Sequence, residues 1–398
     1  MTYAVNPLVR AVNAPPIANV HKWLVDRRPD ANMPLLDVAQ AVPIDPPDVG
    51  LRQRIADLLV SDGLHRYTPI TGLPELRDGL ATYMNTTHAV APPAVGVAAA
   101  DVVITAGCNQ AFCAVMQALA GRGDEVILPL PFYFNHQMWL DMLGVTARHI
   151  PFAPASGGVP AVDDFARLIN DKTRALVVIS PNNPTGAVYS PVMLEQLYGL
   201  ARQAGIAMVL DETYQDFRPD LNSPPHTLFE RSDWHDTFVQ LFSFSKSYAL
   251  TGYRLGSIVA GPCLTEAVTK IQDCTNICAP RVSQMMGKLA LESEAAWLGE
   301  QAAAMVARVT ALREAFAQPW HGFELVSAGA WFAYVRHPFE GRTATEVARH
   351  LAQAYGVLCV PGDMFGPGQD AYLRFAFANL QIDQIPDLMS RLRAAAVE

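Results

Sequence analysis

The chain has 398 residues, of which 51% are hydrophobic and 17% charged, a composition that predicts a soluble globular protein and excludes a disordered one. This length can bury a large core and is sufficient for two domains. The net charge of −9 argues against a nucleic-acid-binding surface, and no apolar stretch reaches the ~18 residues that a membrane span requires.

The N-terminal region is rich in proline and alanine up to residue 48, and it predicts an extended arm with a short helix around His21–Asp26. Helical patterns follow at Leu51–Val60 and Leu73–His88, separated by a loop that contains Tyr67. The N-terminus lacks a basic segment followed by an apolar one, so we expect no secretion signal.

From Asp101 onward, short apolar runs alternate with helical stretches, which predicts a mostly parallel sheet covered by helices on both faces. The link between the last two runs, residues 243–255, is barely long enough for a crossover helix, so we expect the seventh strand to run antiparallel. The candidate strands are Val102–Thr105, Glu125–Leu128, Thr146–Ile150, Ala175–Ser180, Ile206–Leu210, Phe238–Phe242 and Gly256–Ala260, and the candidate helices are Asn109–Ala120, Asn135–Leu143, Val162–Ile169 and Pro191–Gln203.

A long helical region, Arg281–Gln318, leads into a smaller α+β domain that also takes in the arm. Its candidate strands are Glu324–Val326, Trp331–Val335, Leu358–Val360 and Tyr372–Phe375, and its candidate helices are Ala344–Tyr355 and Ile382–Ala395. We therefore divide the chain into an arm with part of the small domain (1–48), a large domain (49–280) and a small C-terminal domain (281–398).

Cysteine spacing argues against both metal and disulfides. The six cysteines, at positions 108, 113, 263, 274, 278 and 359, form neither the Cys-x-x-Cys pairs of a zinc site nor a disulfide framework. We therefore expect no metal site, and free thiols in a reducing cytoplasm.

The most informative stretch runs from Ser243 to Gly256, between two apolar strands, where the ammonium of Lys246 is unfavourable. Such a lysine reaches solvent, pairs with an acid or carries out chemistry with a lowered pKa. Arg254 adds a cation that cannot be neutralised. These two positive groups, with hydroxyls nearby, suit a bound phosphate and an aldehyde that awaits an amine.

The pattern Ser-x-Ser-Lys-x-x-x-x-x-Gly-x-Arg-x-Gly in this stretch closely resembles the lysine segment of the fold-type I pyridoxal-phosphate enzymes, in the class I/II, aspartate aminotransferase-like branch. The resemblance implies that Lys246 forms a Schiff base with pyridoxal 5'-phosphate, while Ser243 and Arg254 hold its phosphate. It covers roughly residues 35 to 380. It implies an α/β fold with a mostly parallel seven-stranded sheet and a smaller α+β domain.

Two further segments match the family's cofactor contacts. The run Thr105 to Ala111 is an ordinary strand-to-helix turn on its own, but it resembles the phosphate loop, with contacts from Gly107, Cys108 and Asn109. Pro-x-aromatic at 131–133 resembles the segment whose ring stacks on the pyridine ring, which implies that role for Tyr133. An aromatic residue beside a strand end is otherwise more often part of the core. The resemblance also makes His136 a second-shell partner of a buried aspartate.

The ends of two later strands carry the polar partners of the ring. Asn183, in Asn-Asn-Pro-Thr-Gly, matches the asparagine that donates to the cofactor's phenolic oxygen and lies near the substrate carboxylate. Asp211 ends an apolar strand, where an unpaired carboxylate is costly, and it matches the partner of the pyridine nitrogen. A capping or salt-bridged aspartate is the structural alternative. Tyr214 would hydrogen-bond the same phenolic oxygen as Asn183.

Three positions bear on substrate and assembly. Arg374, inside an apolar strand, needs an anionic partner and matches the family's carboxylate-binding arginine. Tyr67 matches the tyrosine that reaches the phosphate of the neighbouring subunit, which implies a homodimer with shared active sites. Ala41 departs from the family, whose usual glycine at this place lies beside the substrate, so substrate choice cannot be transferred.

These features predict an aminotransferase that moves an amino group between an L-α-amino acid and a 2-oxo acid by a ping-pong mechanism. Another pyridoxal-phosphate reaction on the same fold, a β-elimination or an oxidative step, would use the same residues. A regulatory sensor built on this fold usually carries a helix-turn-helix module first, whereas the residues here predict an arm and helices. We expect small-molecule substrates and no nucleic-acid or membrane partner.

Overall fold

The computed structural model describes residues 3–397 apart from 26, 28, 29, 31, 61 and 319–321. The arm begins with two short helices, α1 (Pro7–Ala11) and α2 (Pro16–His21), and continues to a two-residue strand, β1 (Leu36–Asp37). The predicted arm helix is thus placed earlier in the chain, with a 3-10 turn at Lys22–Leu24 after α2, and Asp26 lies outside the described residues. Helices α3 (Val49–Leu58) and α4 (Pro74–Thr87) follow.

A seven-stranded sheet forms the centre of the molecule, in the order β2-β8-β7-β6-β5-β3-β4. All of its predicted strands are present, with ends that differ by at most two residues. Most of them are near-continuous buried apolar runs, whereas β4 at the sheet edge has only Ile150 buried. β8 pairs antiparallel with β7 and β2, as the short link predicted, and the pairs among β3 to β7 are parallel. The strands are β2 (Val102–Thr105), β3 (Glu125–Pro129), β4 (Thr146–Ile150), β5 (Thr173–Ile179), β6 (Ala207–Asp211), β7 (Phe238–Ser243) and β8 (Gly256–Val259).

Helices cover both faces of this sheet. One face packs against α5 (Cys108–Leu119), α6 (Phe134–Leu143) and α10 (Pro262–Thr275), which contribute Phe112, Leu140 and Val268 to a buried cluster. The other face packs against α4, α8 (Pro191–Ala204) and α11 (Arg281–Ser293) through Leu80, Leu197 and Met286. The short helices are α7 (Val162–Ala166), which ends three residues before its predicted end, and α9 (Phe244–Ser247).

Local sequence explains where α8 starts and stops. The Ser190 hydroxyl accepts from the Met193 N–H, and Pro191 occupies the first helical position, where its missing N–H costs nothing. Gly205 ends the helix in the left-handed conformation (φ 66°), which glycine adopts without strain. The chain then enters β6 directly, so that the C-terminal end of β6 is firmly placed.

A smaller antiparallel sheet, in the order β12-β13-β10-β9, forms the second domain. Its strands are β9 (Glu324–Gly329), β10 (Phe332–Arg336), β12 (Val360–Pro361) and β13 (Tyr372–Phe375), with helices α12 (Ala295–Ala317), α13 (Ala344–Ala354) and α14 (Ile385–Val397). β1 of the arm pairs in parallel with β11 (Val357–Leu358), which attaches the arm to this domain. Two predicted elements are divided: the helical region at Glu294, and the Leu358–Val360 strand at Cys359.

The two sheets meet at a contact between two glycines. A Cβ on Gly186 (φ 73°) would collide with the backbone N and O of Gly329, and a Cβ on Gly329 would collide with the Gly186 carbonyl oxygen. Only residues without a side chain allow this approach. None of the described helices combines the length and apolar character needed to cross a bilayer.

Candidate active site

A cavity of about 490 Å³ opens at the C-terminal ends of β5, β6 and β7, bordered by the arm and by the small sheet. Ligands of open α/β sheets bind at this edge. Eleven of the thirteen predicted site residues line the cavity: Ala41, Cys108, Asn109, Tyr133, Asn183, Asp211, Tyr214, Ser243, Lys246, Arg254 and Arg374. Gly107 lies against the guanidinium of Arg254, and Tyr67 is 75% exposed and outside the lining.

Lys246 occupies α9, directly after β7, with its amine inside the cavity. Its Nζ donates to the carbonyl oxygen of Ala41 at 2.5 Å and lies 5.2 Å from the centre of the Trp331 ring. Burial, together with the positive charges of Arg374 and Arg254, lowers the pKa of this amine to about 7. A substantial fraction is therefore uncharged and nucleophilic at neutral pH.

Asp211 ends β6 and is 5% exposed, with its carboxylate directed into the cavity. Oδ1 accepts from the Thr213 N–H at 3.0 Å and faces the Cys108 thiol at 3.7 Å. His136 Nε2 lies 3.6 Å from Oδ2, and it is the one side chain that pairs with Asp211 among the ion pairs of the described residues. The His136 ring is itself held by stacking on Phe112, 3.7 Å between ring centres. The carboxylate thus keeps capacity for a further cationic or N–H partner.

One end of the cavity is built to receive an anion. Gly107 caps α5 with φ 89°, and the first N–H groups of that helix, from Cys108 and Asn109, have no acceptor within the helix. A Cβ on Gly107 would collide with the guanidinium of Arg254, so glycine is required for this approach. Ser243 caps α9 on the same side of the cavity and accepts from the Ser245 N–H at 3.2 Å.

The other end presents a buried guanidinium. Arg374 on β13 is 2% exposed, donates from Nη1 to Asn183 Oδ1 at 3.0 Å and from Nη2 to the Ala39 carbonyl, and has an Nε without a partner. No carboxylate pairs with it among the described residues. Burial lowers its pKa to about 10, so it stays charged at neutral pH. A buried cation without an anion, next to a cavity, favours an anionic group such as a carboxylate in that cavity.

Two phenols lie between these ends. Tyr133 precedes α6, and its hydroxyl accepts from Asn135 Nδ2 at 2.9 Å and donates to Asn109 Oδ1 at 3.5 Å. Tyr214 packs edge-on against Phe332, 5.2 Å between ring centres. Burial raises the pKa of Tyr133 to about 12 and holds that of Tyr214 well above its usual value, so both remain protonated hydrogen-bond donors.

Several lining residues were missed from the sequence. Thr213 and Ser245 neighbour the motif residues, so their proximity could have been read from the motifs. Pro15, Ile17 and Phe332 come from the arm and from β10, and they reach the cavity only through the tertiary fold. No local signal marks such residues.

A second buried acidic group lies behind the first. Glu212, 1% exposed, accepts from Gln240 Nε2 at 2.5 Å, and its Oε2 lies 3.3 Å from His226 Nε2 and 3.4 Å from His88 Nε2. Burial raises the pKa of Glu212, but the two histidines lower it by more, so the net pKa lies below the usual range. The three groups are close enough together to hold a metal ion. However, His226 Nδ1 accepts from the Leu228 N–H at 3.2 Å, so its Nε2 carries the hydrogen that points to Glu212. The cluster therefore satisfies its carboxylate internally.

Comparison with known proteins gives a consistent family. The model of aminotransferases of class I and II matches residues 32–392. The chain is similar to an aromatic aminotransferase, ISS1, of Arabidopsis thaliana, with 31% identity over 89% of this chain and 87% of that protein. It is also similar to the aspartate aminotransferase of Pyrococcus abyssi, with 26% identity over 83% and 84% of the two chains. A solved structure of a Thermus thermophilus aspartate aminotransferase mutant superposes with a TM-score of 0.88 at 25% identity, covering 99% of this chain and 100% of that one.

Proposed function

The chain belongs to the class I and II aminotransferases and is a pyridoxal-phosphate-dependent transaminase of amino acids and 2-oxo acids; from this premise we propose how its own residues divide the work. The reaction is ping-pong, since both substrates use one site in turn. When bound, pyridoxal phosphate supplies an aldehyde for the amine and a ring that withdraws electrons from the substrate Cα.

The residues of the cavity fit this cofactor. The unpartnered Nε of Arg374 and the incompletely paired Asp211 are buried polar groups that need a ligand, and the glycine-lined start of α5 beside Arg254 leaves room for an anion. The two charged ends flank a cavity whose lining includes the aromatic side chains of Tyr133 and Phe332. This combination of an anion site, a flat wall and a carboxylate is what carries the assignment of roles.

In the proposed arrangement, the phosphate is held by Ser243, Arg254 and the loop formed by Gly107, Cys108 and Asn109. Asp211 pairs with the pyridine nitrogen and keeps it protonated, because a buried carboxylate favours a cation beside it. Tyr133 provides the face on which the ring stacks, while Asn183 and Tyr214 donate hydrogen bonds to its phenolic oxygen. Asn183 keeps its Nδ2 for this purpose, since Arg374 already engages its Oδ1.

Lys246 has two proposed tasks. Its Nζ would hold the resting cofactor, and the same amine, once free, would accept the proton from the substrate Cα as general base and then donate it as general acid. The lowered pKa supports both tasks, because the neutral amine is required to attack the cofactor and to accept the proton, while a pKa of about 7 also lets the protonated amine donate it. Arg374 fixes the α-carboxylate with a planar, bidentate donor pair, and Ala41 borders the amino acid, since its carbonyl contacts the lysine.

The half-reaction with a single amino acid tests this function. Holoenzyme mixed with excess amino acid and no 2-oxo acid should convert its cofactor stoichiometrically to the amine form, with release of one equivalent of 2-oxo acid. Lys246→Ala should abolish catalytic turnover, and Lys246→Arg serves as the variant that keeps the charge. Release of ammonia without the amine form of the cofactor would contradict transamination and indicate elimination or oxidation.

We propose that the enzyme is a homodimer in which Tyr67 reaches the partner's phosphate site. The exposed tyrosine, which touches no part of the cavity in its own chain, supports this proposal. Mixing Lys246→Ala protomers with Tyr67→Ala protomers should restore activity, because each hybrid dimer then holds one intact site. Failure to restore activity, with co-purification of two differently tagged protomers showing exchange into hybrids, would contradict shared sites.

Two coarser expectations complete the proposal. The proposed division at 48/49 is supported by the pairing of β1 with β11, and the large sheet lies between 48/49 and 280/281, although α11, which follows the second limit, packs on the large sheet. A cytoplasmic location is supported by six unpaired cysteines. Limited proteolysis and cell fractionation test these two statements respectively.

A further inference from the structure

A buried carboxylate to which the proposed function gives no task lies beside the segment that carries Lys246. Asp216 occupies a 3-10 turn, Gln215–Phe217, shortly after β6, and it is 8% exposed. Its Oδ2 accepts a hydrogen bond from the Ser247 hydroxyl at 2.5 Å, and its Oδ1 accepts one from the Tyr83 hydroxyl of α4. Ser247 directly follows Lys246 in the sequence, so the first of these bonds attaches Asp216 to the segment of the reacting lysine.

The surroundings of Asp216 determine the direction of both bonds. Burial raises the pKa of its carboxyl group, while the hydrogen bonds from Ser247 and Tyr83 and the positive charge of Arg218 act in the opposite direction. The ionised carboxylate can only accept, so both hydroxyls donate to it. Ser247 is fully buried, so water does not replace Asp216 as the partner of its hydroxyl.

The helix that carries Lys246 is too short to fix its own orientation. α9 is a single turn of four residues, and a helix of this length is not stable without contacts from outside it. Ser243 caps the start of α9, and the bond from Ser247 to Asp216 fixes its end. Lys246 lies between these two anchors.

The same bond joins α9 to the segment that carries Tyr214. β6 and β7 are parallel neighbours, so the residues that follow them leave the sheet side by side. Asp216 comes two residues after Tyr214, and Ser247 one residue after Lys246, so their bond ties the two exits together. Tyr214 and Lys246 line the cavity, whereas Asp216 and Ser247 are not part of its lining.

We propose that Asp216 is a positioning residue for Lys246, because its hydrogen bond to Ser247 holds α9 in the orientation that directs the lysine Nζ at the reacting carbon. This inference rests on the proposed function, which assigns the covalent task to Lys246. In that task Nζ forms a C=N bond with the aldehyde carbon of pyridoxal phosphate, and the aldehyde oxygen leaves as water with the two amine hydrogens. Misplacement of a reacting group by about 1 Å slows such a step by about 100-fold, so a bond outside the cavity can control it.

Two variants that each remove one hydroxyl from the same carboxylate test the proposal. Ser247→Ala deletes the bond to α9, and Tyr83→Phe, the matched control, deletes the bond to α4 and leaves α9 attached. At saturating pyridoxal phosphate, we expect the first-order rate constant for covalent uptake by Ser247→Ala apoprotein, followed by absorbance, to fall about tenfold. Tyr83→Phe should stay within about twofold of the wild type. A rate constant for Ser247→Ala within about twofold of either the wild type or Tyr83→Phe would overturn the proposal.

Binding of pyridoxamine 5'-phosphate separates positioning from general damage. This compound has no aldehyde, so its binding requires the cavity but no attack by Lys246. We expect its dissociation constant for Ser247→Ala apoprotein, measured by calorimetry, to stay within about twofold of the wild-type value. Any larger change would show that loss of the hydroxyl distorts the whole site, and the specific role of Asp216 towards the lysine would be wrong.

A double-mutant cycle identifies the bond as the cause. Asp216→Ala alone should slow covalent uptake about tenfold, and combining it with Ser247→Ala should slow uptake no further, because both changes remove the same bond. A combined slowing of about 100-fold would mean that the two residues act separately, which would contradict the proposal. Borohydride reduction of the wild type, followed by peptide mass spectrometry, shows whether pyridoxal phosphate is attached to Lys246. Its absence from Lys246 would refute the proposed function itself, whereas the outcomes above concern Asp216 alone.

Discussion

Two adjacent carboxylates, Asp211 and Glu212, point to opposite sides of the end of β6 and differ in how completely the protein supplies their partners. Both are almost fully buried, because successive side chains of a strand alternate between faces. Asp211 faces the cavity with one N–H donor, one thiol and a histidine at 3.6 Å. Glu212 faces the core with an amide and two histidines converging on a single oxygen.

The difference separates a binding group from a structural group. A buried charge whose partners are all supplied by the chain stabilises one conformation and has nothing left to offer a ligand. A buried charge with incomplete partners, placed at a cavity, is completed only by something that enters. Arg374 belongs with Asp211 by this criterion, because its Nε has no partner.

Replacing the cavity-facing acid should produce the largest effect, and mainly on activity. We expect Asp211→Asn to lower kcat/KM about 10³-fold, because a preorganised charge facing the reacting group is lost, while the free energy of unfolding changes by less than about 1 kcal/mol. Steady-state kinetics and urea denaturation of the same preparation measure both quantities. If Asp211→Asn kept kcat/KM within tenfold of the wild type, the proposed difference in role between Asp211 and Glu212 would be wrong.

The core-facing acid should show the reverse. Glu212→Gln removes the carboxylate that two buried histidines and Gln240 share, and we expect a loss of about 3 kcal/mol in unfolding free energy. The protein that remains folded should keep kcat/KM within about fivefold. A variant as stable as the wild type would show that the cluster is not a stabilising element.

Low pH should destabilise the folded protein through the buried cluster of His88, Glu212 and His226. Burial lowers the pKa of His226 from 6.5 to about 4, and in the unfolded chain this histidine binds its proton more readily. Its contribution to stability is therefore complete above pH 6.5 and is lost as the pH falls toward 4. Below about 4.5 the lowered pKa of Glu212 adds a loss of the same sign.

The slope of unfolding free energy against pH measures this effect. Between pH 6.5 and 4 we expect His226→Gln to reduce the slope by up to one proton, or about 1.4 kcal/mol per pH unit, because glutamine does not titrate. An unchanged slope would mean that another group causes the acid sensitivity.

The last prediction concerns Lys246 in the cavity and the pH dependence of cofactor uptake. Because the pKa of Lys246 is lowered to about 7, the rate at which apoprotein takes up pyridoxal phosphate should rise about tenfold per pH unit below 7 and level off above it. Exposed Lys270, whose pKa is raised by its bond to Glu266, is the contrasting amine. A rate that still increased up to pH 9 would indicate an ordinary lysine.

The sequence was sufficient for the parts of the site that are contiguous. Ser243, Lys246 and Arg254 lie within twelve residues on one turn between two strands, so their spacing alone brings them together. The strands of the large sheet were also predictable from the sequence, because apolar runs that are buried on both faces are typical of strands in a parallel sheet. The antiparallel direction of β8 relative to β7 followed from the length of one link.

The remaining features depend on contacts between distant segments. His88 lies more than a hundred residues before Glu212 in the sequence, and His226 lies shortly after it. The residues around the two histidines give no indication that both contact this carboxylate. The break at Glu294 coincides with its ion pair to Arg54 at 3.0 Å, and α10 was not recognised because its polar residues obscure a single buried stripe. Ile17 and Phe332 became site residues only when the two sheets were assembled.

The contact between Gly186 and Gly329 also bears on the bond between Asn183 and Arg374 at the cavity. Gly186 follows Asn183 by three residues, and Gly329 belongs to the same small sheet as Arg374, so the bond between Asn183 and Arg374 spans the seam that the two glycines close. A methyl group at either glycine would collide with the opposing backbone and increase the distance between Asn183 and Arg374. We therefore expect these two glycines, neither of which lines the cavity, to maintain the spacing between Asn183 and Arg374.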